Sequence, residues 1–189
     1  MDNSIWANIE TGNKEAYSEA YIFYYKKLIN YGKKLTSDTA MIEDTIDEVF
    51  LIIWTNRENL HSILSPSAYI FSSFRNNICK KIKALKKIQF SEVEQEIEIE
   101  FSIDSIIIQK ETDAALEAQL QKALQQLRSR QREAIFLRFY EGLSYVEIAT
   151  VMGISVKATY KIMARALNEL KEILSIALAL LLMLLAQLT

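Results

Sequence analysis

Residues 124–170 read LQQLRSRQREAIFLRFYEGLSYVEIATVMGISVKATYKIMARALNEL, and the reactive side chains here are cations and hydroxyls. Lys157, Lys161 and Arg165 recur every four residues, which sets them on one ridge of a helix. Ser155, Ala158 and Tyr160 lie on or beside that helix. Cations of this kind contact phosphates, which position a helix without carrying sequence information, while side chains in the groove read base edges. A helix, a tight turn and a second helix must hold them. Ala149 is small where the second helix comes close, and Gly153 supplies the left-handed turn that residues with a Cβ resist. Ser155 is a good N-cap, and Ile148, Val151 and Ile154 are apolar on the inner side. The pattern is that of a helix-turn-helix, whose second helix enters a major groove. A plain helical hairpin shares the Ala-x3-Gly spacing, so the local pattern leaves both readings open.

A second set of cations lies earlier. Arg75, Lys80, Lys81, Lys83, Lys86 and Lys87 stand with no acidic residue between Ser67 and Ile88, interleaved with Tyr69, Phe71 and Phe74. Cations on phosphates and aromatic faces on exposed bases would suit a nucleic-acid surface. A solvated, lysine-rich helix end, favoured by the helix dipole, fits equally well. Enzyme chemistry is not expected: no Gly-rich phosphate loop is present and no Ser-His-Asp order is suggested. One Cys and one His argue against a disulfide framework and a zinc site, so no metal or cofactor is expected. Cys79 reads as a helix residue near the core, and His61 as a loop residue.

The elements that must position these groups read as all-α. The 189 residues hold 4 Gly and 1 Pro and are 50 % hydrophobic, rich in helix formers. Tyr17, Tyr21, Tyr24, Tyr25, Leu28 and Tyr31 recur at helical steps. A second helix is expected from Thr39 to Trp54, with Ile42, Ile46, Val49, Phe50 and Ile53 on one face and Asp44, Asp47 and Glu48 around the other. Ser65-Pro66-Ser67 starts a third. Residues 91–117 then turn acidic, and 92–99 alternate charged and apolar residues, as in a short extended piece. The expected division is a first helical domain over 1–87, an acidic linker over 88–110, a helix-turn-helix domain over 111–172 and a hydrophobic tail over 173–189. The net charge of −2 conceals this segregation. The first residues lack a basic segment followed by an apolar one, so no secretory signal is expected. The uncharged tail, ILSIALALLLMLLA, is about 21 Å long as a helix, short of a bilayer crossing. Packing on its own domain or a second copy, contact with a partner or membrane surface, and true anchoring are all open for it.

In this order the blocks resemble a known family, the extracytoplasmic-function group of bacterial RNA polymerase sigma factors, over about residues 5–172. An aromatic helix over 16–35 is similar to the start of the family's first conserved domain. IEDTIDEVFLIIWTNRENL, over 42–60, matches its acidic-then-aromatic signature. Residues 124–170 match its second domain through Glu-Gly-Leu-Ser-Tyr-x-Glu-Ile-Ala, Gly-x-Ser and Arg-Ala-Leu-x-x-Leu. Three departures stand out: Asp47 where the family often has Gln, Arg128 where it usually has Pro, and Ala158-Thr159-Tyr160-Lys161-Ile162 on the recognition helix.

The resemblance implies a cytoplasmic factor that binds core RNA polymerase and directs it to promoter DNA. It implies polymerase docking through Asp44, Asp47, Glu48 and Arg57, whereas Phe50 and Trp54, at i and i+4 with other apolar residues, read as core. It implies engagement of the −10 element and its separated strand by the 61–66 loop and by Tyr69, Ser72, Ser73, Arg75, Asn76, Asn77 and Lys80. It implies reading of the −35 element by Ser155, Lys157, Ala158, Tyr160, Lys161 and Arg165. An anti-sigma partner, which can be membrane-bound, would mask one or both domains, and no small-molecule substrate is implied. Two other classes fit part of the pattern: a stand-alone helix-turn-helix regulator of duplex operators, which has no reason to carry the 42–60 block, and a membrane-tethered adaptor built around the tail.

Overall fold

In a computed structural model, the structure describes residues 3–89 and 114–186. Among these residues every element is helical and no strand is present. The expected linker, apart from its first two residues, and the extended piece within it lie outside the described residues.

The first half holds α1 (Asn3–Glu10), α2 (Lys14–Gly32), α3 (Thr39–Thr55), a 3₁₀ turn (Arg57–Ser62) and α4 (Pro66–Gln89). Short polar side chains set the helix starts. Asn13 accepts from the Ala16 N–H at 2.9 Å and Asp38 from the Met41 N–H at 3.0 Å, satisfying N–H groups that have no partner within the helix. Pro66 opens α4, and Ser65 Oγ accepts from the Ala68 N–H at 3.2 Å. The apolar faces of α2, α3 and α4 meet in a core of Tyr24, Leu28, Tyr31, Ile42, Ile46, Phe50, Phe71, Phe74 and Ile78. Gly32 sits where α2 passes closest to it: a Cβ there would lie 2.7 Å from Ile42 Cγ2 and 3.0 Å from Phe74 Cζ. Gly32→Ala is therefore expected to overpack this junction and cost about 1–3 kcal/mol, read as a lowered thermal midpoint. An unchanged midpoint would show that Ile42 and Phe74 yield freely.

The second half holds α5 (Ala114–Gln126), α6 (Ser129–Ile135), a π-helical turn (Phe136–Tyr140), α7 (Tyr145–Met152) and α8 (Val156–Ala186). At Arg128 the backbone N–H donates to Gln131 Oε1 at 2.8 Å, a start for α6 that a proline, lacking that N–H, could not make. Ala123, Leu127, Ala134, Leu137, Ile148, Val151, Met163 and Ala166 form the core. The hydrophobic segment from residue 173 lies within α8. It continues the helix begun at Val156, because no Gly or Pro between Val156 and Ala186 ends the backbone ladder. Among the described residues no helix is long and apolar enough to cross a membrane.

The halves also touch, with α4 packed against α7. Tyr31 of α2 stacks on Phe136 with ring centroids 5.9 Å apart and planes 12° from parallel.

Candidate nucleic-acid and protein interfaces

The helix-turn-helix forms from three local devices. Ser144 and Glu147 cap α7 reciprocally, the Ser144 N–H donating to Glu147 at 2.8 Å and the Glu147 N–H to Ser144 Oγ at 3.3 Å. Gly153 closes α7 at φ 64°, ψ 39°, in the left-handed region. Ser155 then caps α8 by accepting from the Ala158 N–H at 3.2 Å. Thr159, Met163, Ala166 and Leu170 turn inward. That fixes the other face: Ser155, Lys157, Tyr160, Lys161 and Arg165 are exposed and Ala158 is half-buried. The Tyr160 ring lies 4.4 Å from that of Tyr145, and the Arg138 guanidinium sits 5.3 Å over the same Tyr145 ring. Tyr145 and Arg138 thus join the edge of the cation row. Sequence spacing gave no sign of this, because Arg138 lies in the π-helical turn, outside both helices of the motif.

On α4, Tyr69, Ser72, Ser73 and Asn77 are half-buried, while Asn76 and Lys80 are exposed. Ser72 donates to the Tyr69 carbonyl at 3.0 Å. Arg75 is paired with an acid of the second half. Its Nε donates to Glu133 Oε1 at 2.6 Å and its Nη2 to Glu133 Oε2 at 3.0 Å, a bidentate pair across the two halves. Burial works against the Arg75 charge, but the Glu133 carboxylate outweighs it and holds the guanidinium protonated. The Glu133 side chain is 4 % exposed and also accepts from the Tyr31 hydroxyl at 2.5 Å. Burial, with Glu133 beside it, raises the Tyr31 phenol well above its ordinary value, so it stays a donor. In the loop before α4, Ser65 donates to Glu147 at 2.6 Å. Burial pushes the Glu147 carboxyl up, yet the bonds from Ser65 and Ser144 outweigh that and keep it low. His61 is exposed and pairs with Glu10 at 2.8 Å.

The α3 face presents an open groove of about 530 Å³, lined by Tyr17, Tyr21, Asp44, Asp47, Glu48, Phe50 and Leu51. Asp44, Asp47 and Glu48 are exposed, as expected for the face opposite the core. Tyr21 donates to Asp47 at 2.7 Å and so fixes that carboxylate at the groove wall. Burial, with Asp47 second, raises the Tyr21 phenol and keeps it a donor. Lys81 of α4 reaches Glu48 at 2.9 Å. Arg57 does not line the groove. It donates to the Trp54 carbonyl at 3.0 Å and lies 5.1 Å over the Trp54 ring. Phe50 is buried as expected, whereas Trp54 is half-buried, with Tyr17 and the Arg57 guanidinium against its ring. Tyr17 and Tyr21, absent from the sequence-derived set, share the aromatic spacing that marked α2 as amphipathic.

Comparison with known proteins adds three findings. The family description "Sigma-70 region 2" matches residues 21–88, and "Sigma-70, region 4" matches residues 117–170. The chain is 31 % identical over 147 residues to ECF RNA polymerase sigma factor SigL of Mycobacterium tuberculosis, covering 75 % of this chain and 80 % of that protein. SigK from the same organism is 20 % identical over 172 residues, covering 87 % of this chain and 89 % of that protein. Among solved structures, CnrH in complex with the cytosolic domain of CnrY shares the fold with a TM-score of 0.59 at 20 % identity, over 92 % of this chain and 97 % of that one. The sigma factor RpoE in complex with the anti-sigma factor NepR from Bartonella quintana shares it with a TM-score of 0.59 at 21 % identity, over 84 % and 96 %.

Proposed function

This chain belongs to the extracytoplasmic-function group of sigma factors, initiation factors that direct core RNA polymerase to promoters, and from that premise we propose how its surfaces divide the work. It is a specificity factor and not an enzyme. The acidic face of α3, with Asp44, Asp47 and Glu48, docks on core polymerase, and Arg57 extends the contact at the far end of that helix. The face of α4 with Tyr69, Ser72, Ser73, Asn76, Asn77 and Lys80 engages the −10 element, joined by Arg75 when it is free of Glu133. The start of α8, with Ser155, Lys157, Ala158, Tyr160, Lys161 and Arg165, reads the −35 element. The domains run over 1–87 and 111–172, with 88–110 between them and 173–189 beyond.

One observation carries the reading: three cations stand exposed at four-residue intervals on the helix that follows a left-handed glycine turn, while the opposite face of that helix is buried. That is the disposition a groove-entering helix needs. A stand-alone operator-binding regulator leaves the match over residues 21–88 unexplained. The test is run-off transcription with purified core polymerase on a promoter library, where defined new start sites support the reading and duplex binding without core dependence overturns it. Lys157→Ala/Lys161→Ala is expected to weaken promoter binding by holoenzyme and to lower the slope of log K against log salt by about one for each phosphate no longer neutralised. An unchanged slope would mean that neither lysine touches a phosphate.

By analogy with the two solved complexes, an anti-sigma partner covers these same faces in the resting cell. The site of action is the bacterial cytoplasm, where polymerase and promoter are. For the 173–186 segment the reading is limited to contact at a surface, since about 21 Å of helix does not span a bilayer core of about 30 Å.

A further inference from the structure

Helix α1 lies ahead of residues 21–88, which the region 2 description matches, and is folded back onto the 3₁₀ turn that precedes α4. Gly12 makes the reversal at φ 86°, in the left-handed region, with its N–H donated to the Ile9 carbonyl at 2.9 Å. Trp6 and Ile9 are buried on α1, and Leu60 is buried on the turn. Ile63 donates its N–H to the Leu60 carbonyl at 2.9 Å, and the chain then runs out to Leu64, which is 100 % exposed, before Pro66 opens α4. Glu10, the last residue of α1, reaches the start of this loop. Its Oε1 lies 2.8 Å from His61 Nδ1, and the Glu58 carbonyl oxygen lies 3.1 Å from the same nitrogen.

A carboxylate and a carbonyl can only accept, so Nδ1 carries the hydrogen and donates. In the uncharged ring that leaves Nε2 with a free lone pair. The His61 side chain is 67 % exposed, and its bonds among the described residues are made by Nδ1. An exposed pair of this kind adds little to stability; what it fixes is the orientation of the ring and its tautomer. Leu64, nearby, holds an apolar side chain wholly in water, a surface that an unstacked base can cover. We propose that His61 is a specificity-determining residue whose Nε2 accepts a hydrogen bond from the amino group of an unpaired base in the −10 element, adenine N6 or cytosine N4, and that Glu10 is the positioning residue that holds the ring in that form. Guanine and thymine carry an oxygen where the amino group stands, which would set lone pair against lone pair. The proposal rests on the reading of α4 and the loop before it as the −10 surface.

The test is run-off transcription by holoenzyme made with the full chain, on promoters randomised over the −10 element. The wild type is expected to favour adenine or cytosine over guanine and thymine at one position by about 5–30-fold. His61→Ala should lose that preference, and Glu10→Ala should reduce it by about threefold or more. Glu10→Gln, whose side-chain carbonyl still accepts from Nδ1, should keep most of it. Glu10→Ala/His61→Ala should select as His61→Ala does alone, because the two residues act as one unit. A second arm alters the DNA instead, so it does not depend on how the Glu10 variants fold. On the preferred promoter, purine in place of adenine, or 2-pyrimidinone in place of cytosine, should lower wild-type open-complex formation by about 5–30-fold and leave that of His61→Ala unchanged. Unaltered selection by Glu10→Ala would remove the positioning role, and an equal response of wild type and His61→Ala to the altered base would remove the contact. If Tyr69→Ala and Asn76→Ala change −10 selection while the His61 and Glu10 variants do not, the −10 surface stands and this contact falls. If none of these variants changes it, the assignment of that surface falls as well.

Discussion

Asp44→Ala/Asp47→Ala is expected to weaken binding to core RNA polymerase by about 30–100-fold, a loss of about 2–3 kcal/mol, while leaving the fold intact. Both carboxylates are exposed on the wall of the α3 groove, so neither contributes a buried contact whose removal would unfold the domain. Surface substitutions of this kind change stability by about 0.5 kcal/mol or less. The effect on binding is larger because the groove combines charge with apolar surface. Leu51 is 64 % exposed beside Phe50 and Tyr21, and a basic partner helix laid there would pair its cations with the carboxylates while covering the ring edges. Asp47 matters more than its exposure suggests, because the Tyr21 hydroxyl fixes it in place before any partner arrives. Titration with labelled core at two salt concentrations checks this. The wild-type affinity should fall with salt and that of the variant should fall less. Equal affinities would remove α3 from the docking surface.

Phe74→Ala is expected to destabilise the first domain by about 3–5 kcal/mol, a large share of the stability of a domain this size. The ring is fully buried between Tyr31, 6.0 Å away, and the close approach of Gly32 to α4. Truncation leaves a cavity whose neighbours are held on three different helices and cannot all collapse into it. Phe74→Leu keeps most of the volume and should cost less than about 1.5 kcal/mol. Thermal unfolding by circular dichroism separates the two. If the alanine and leucine variants melted together, Phe74 would not be the packing centre of the α2–α3–α4 core.

The helices and the recognition turn were legible because their signals are local. The face of α3 follows from the spacing of Ile42, Ile46, Val49, Phe50 and Ile53 alone, and the left-handed turn at Gly153 follows from one residue type between two periodic stretches. The partner of Arg75 was not legible. Glu133 sits 58 positions away, just before the apolar run 134–137, and a sequence window cannot show that such an acid faces inward toward another helix. The continuity of α8 was not legible for a related reason. Charge stops at residue 172, which looks like a boundary, but a helix ends where the backbone is broken or capped, and neither happens there. Trp54 was half legible: its spacing points to the core, yet it is half-buried, with the Arg57 guanidinium over its ring.

The unbroken α8 joins two things that a loop would have kept mechanically separate. Its 31 residues make a rod of about 46 Å, clamped to the body of the domain by Thr159, Met163, Ala166 and Leu170 in its first half. The hydrophobic end is therefore continuous, through one backbone ladder, with the turn of helix that carries Lys157 and Tyr160. Whatever holds the hydrophobic end is joined to the turn after Gly153 by one continuous helix, with no loop between them to absorb a displacement.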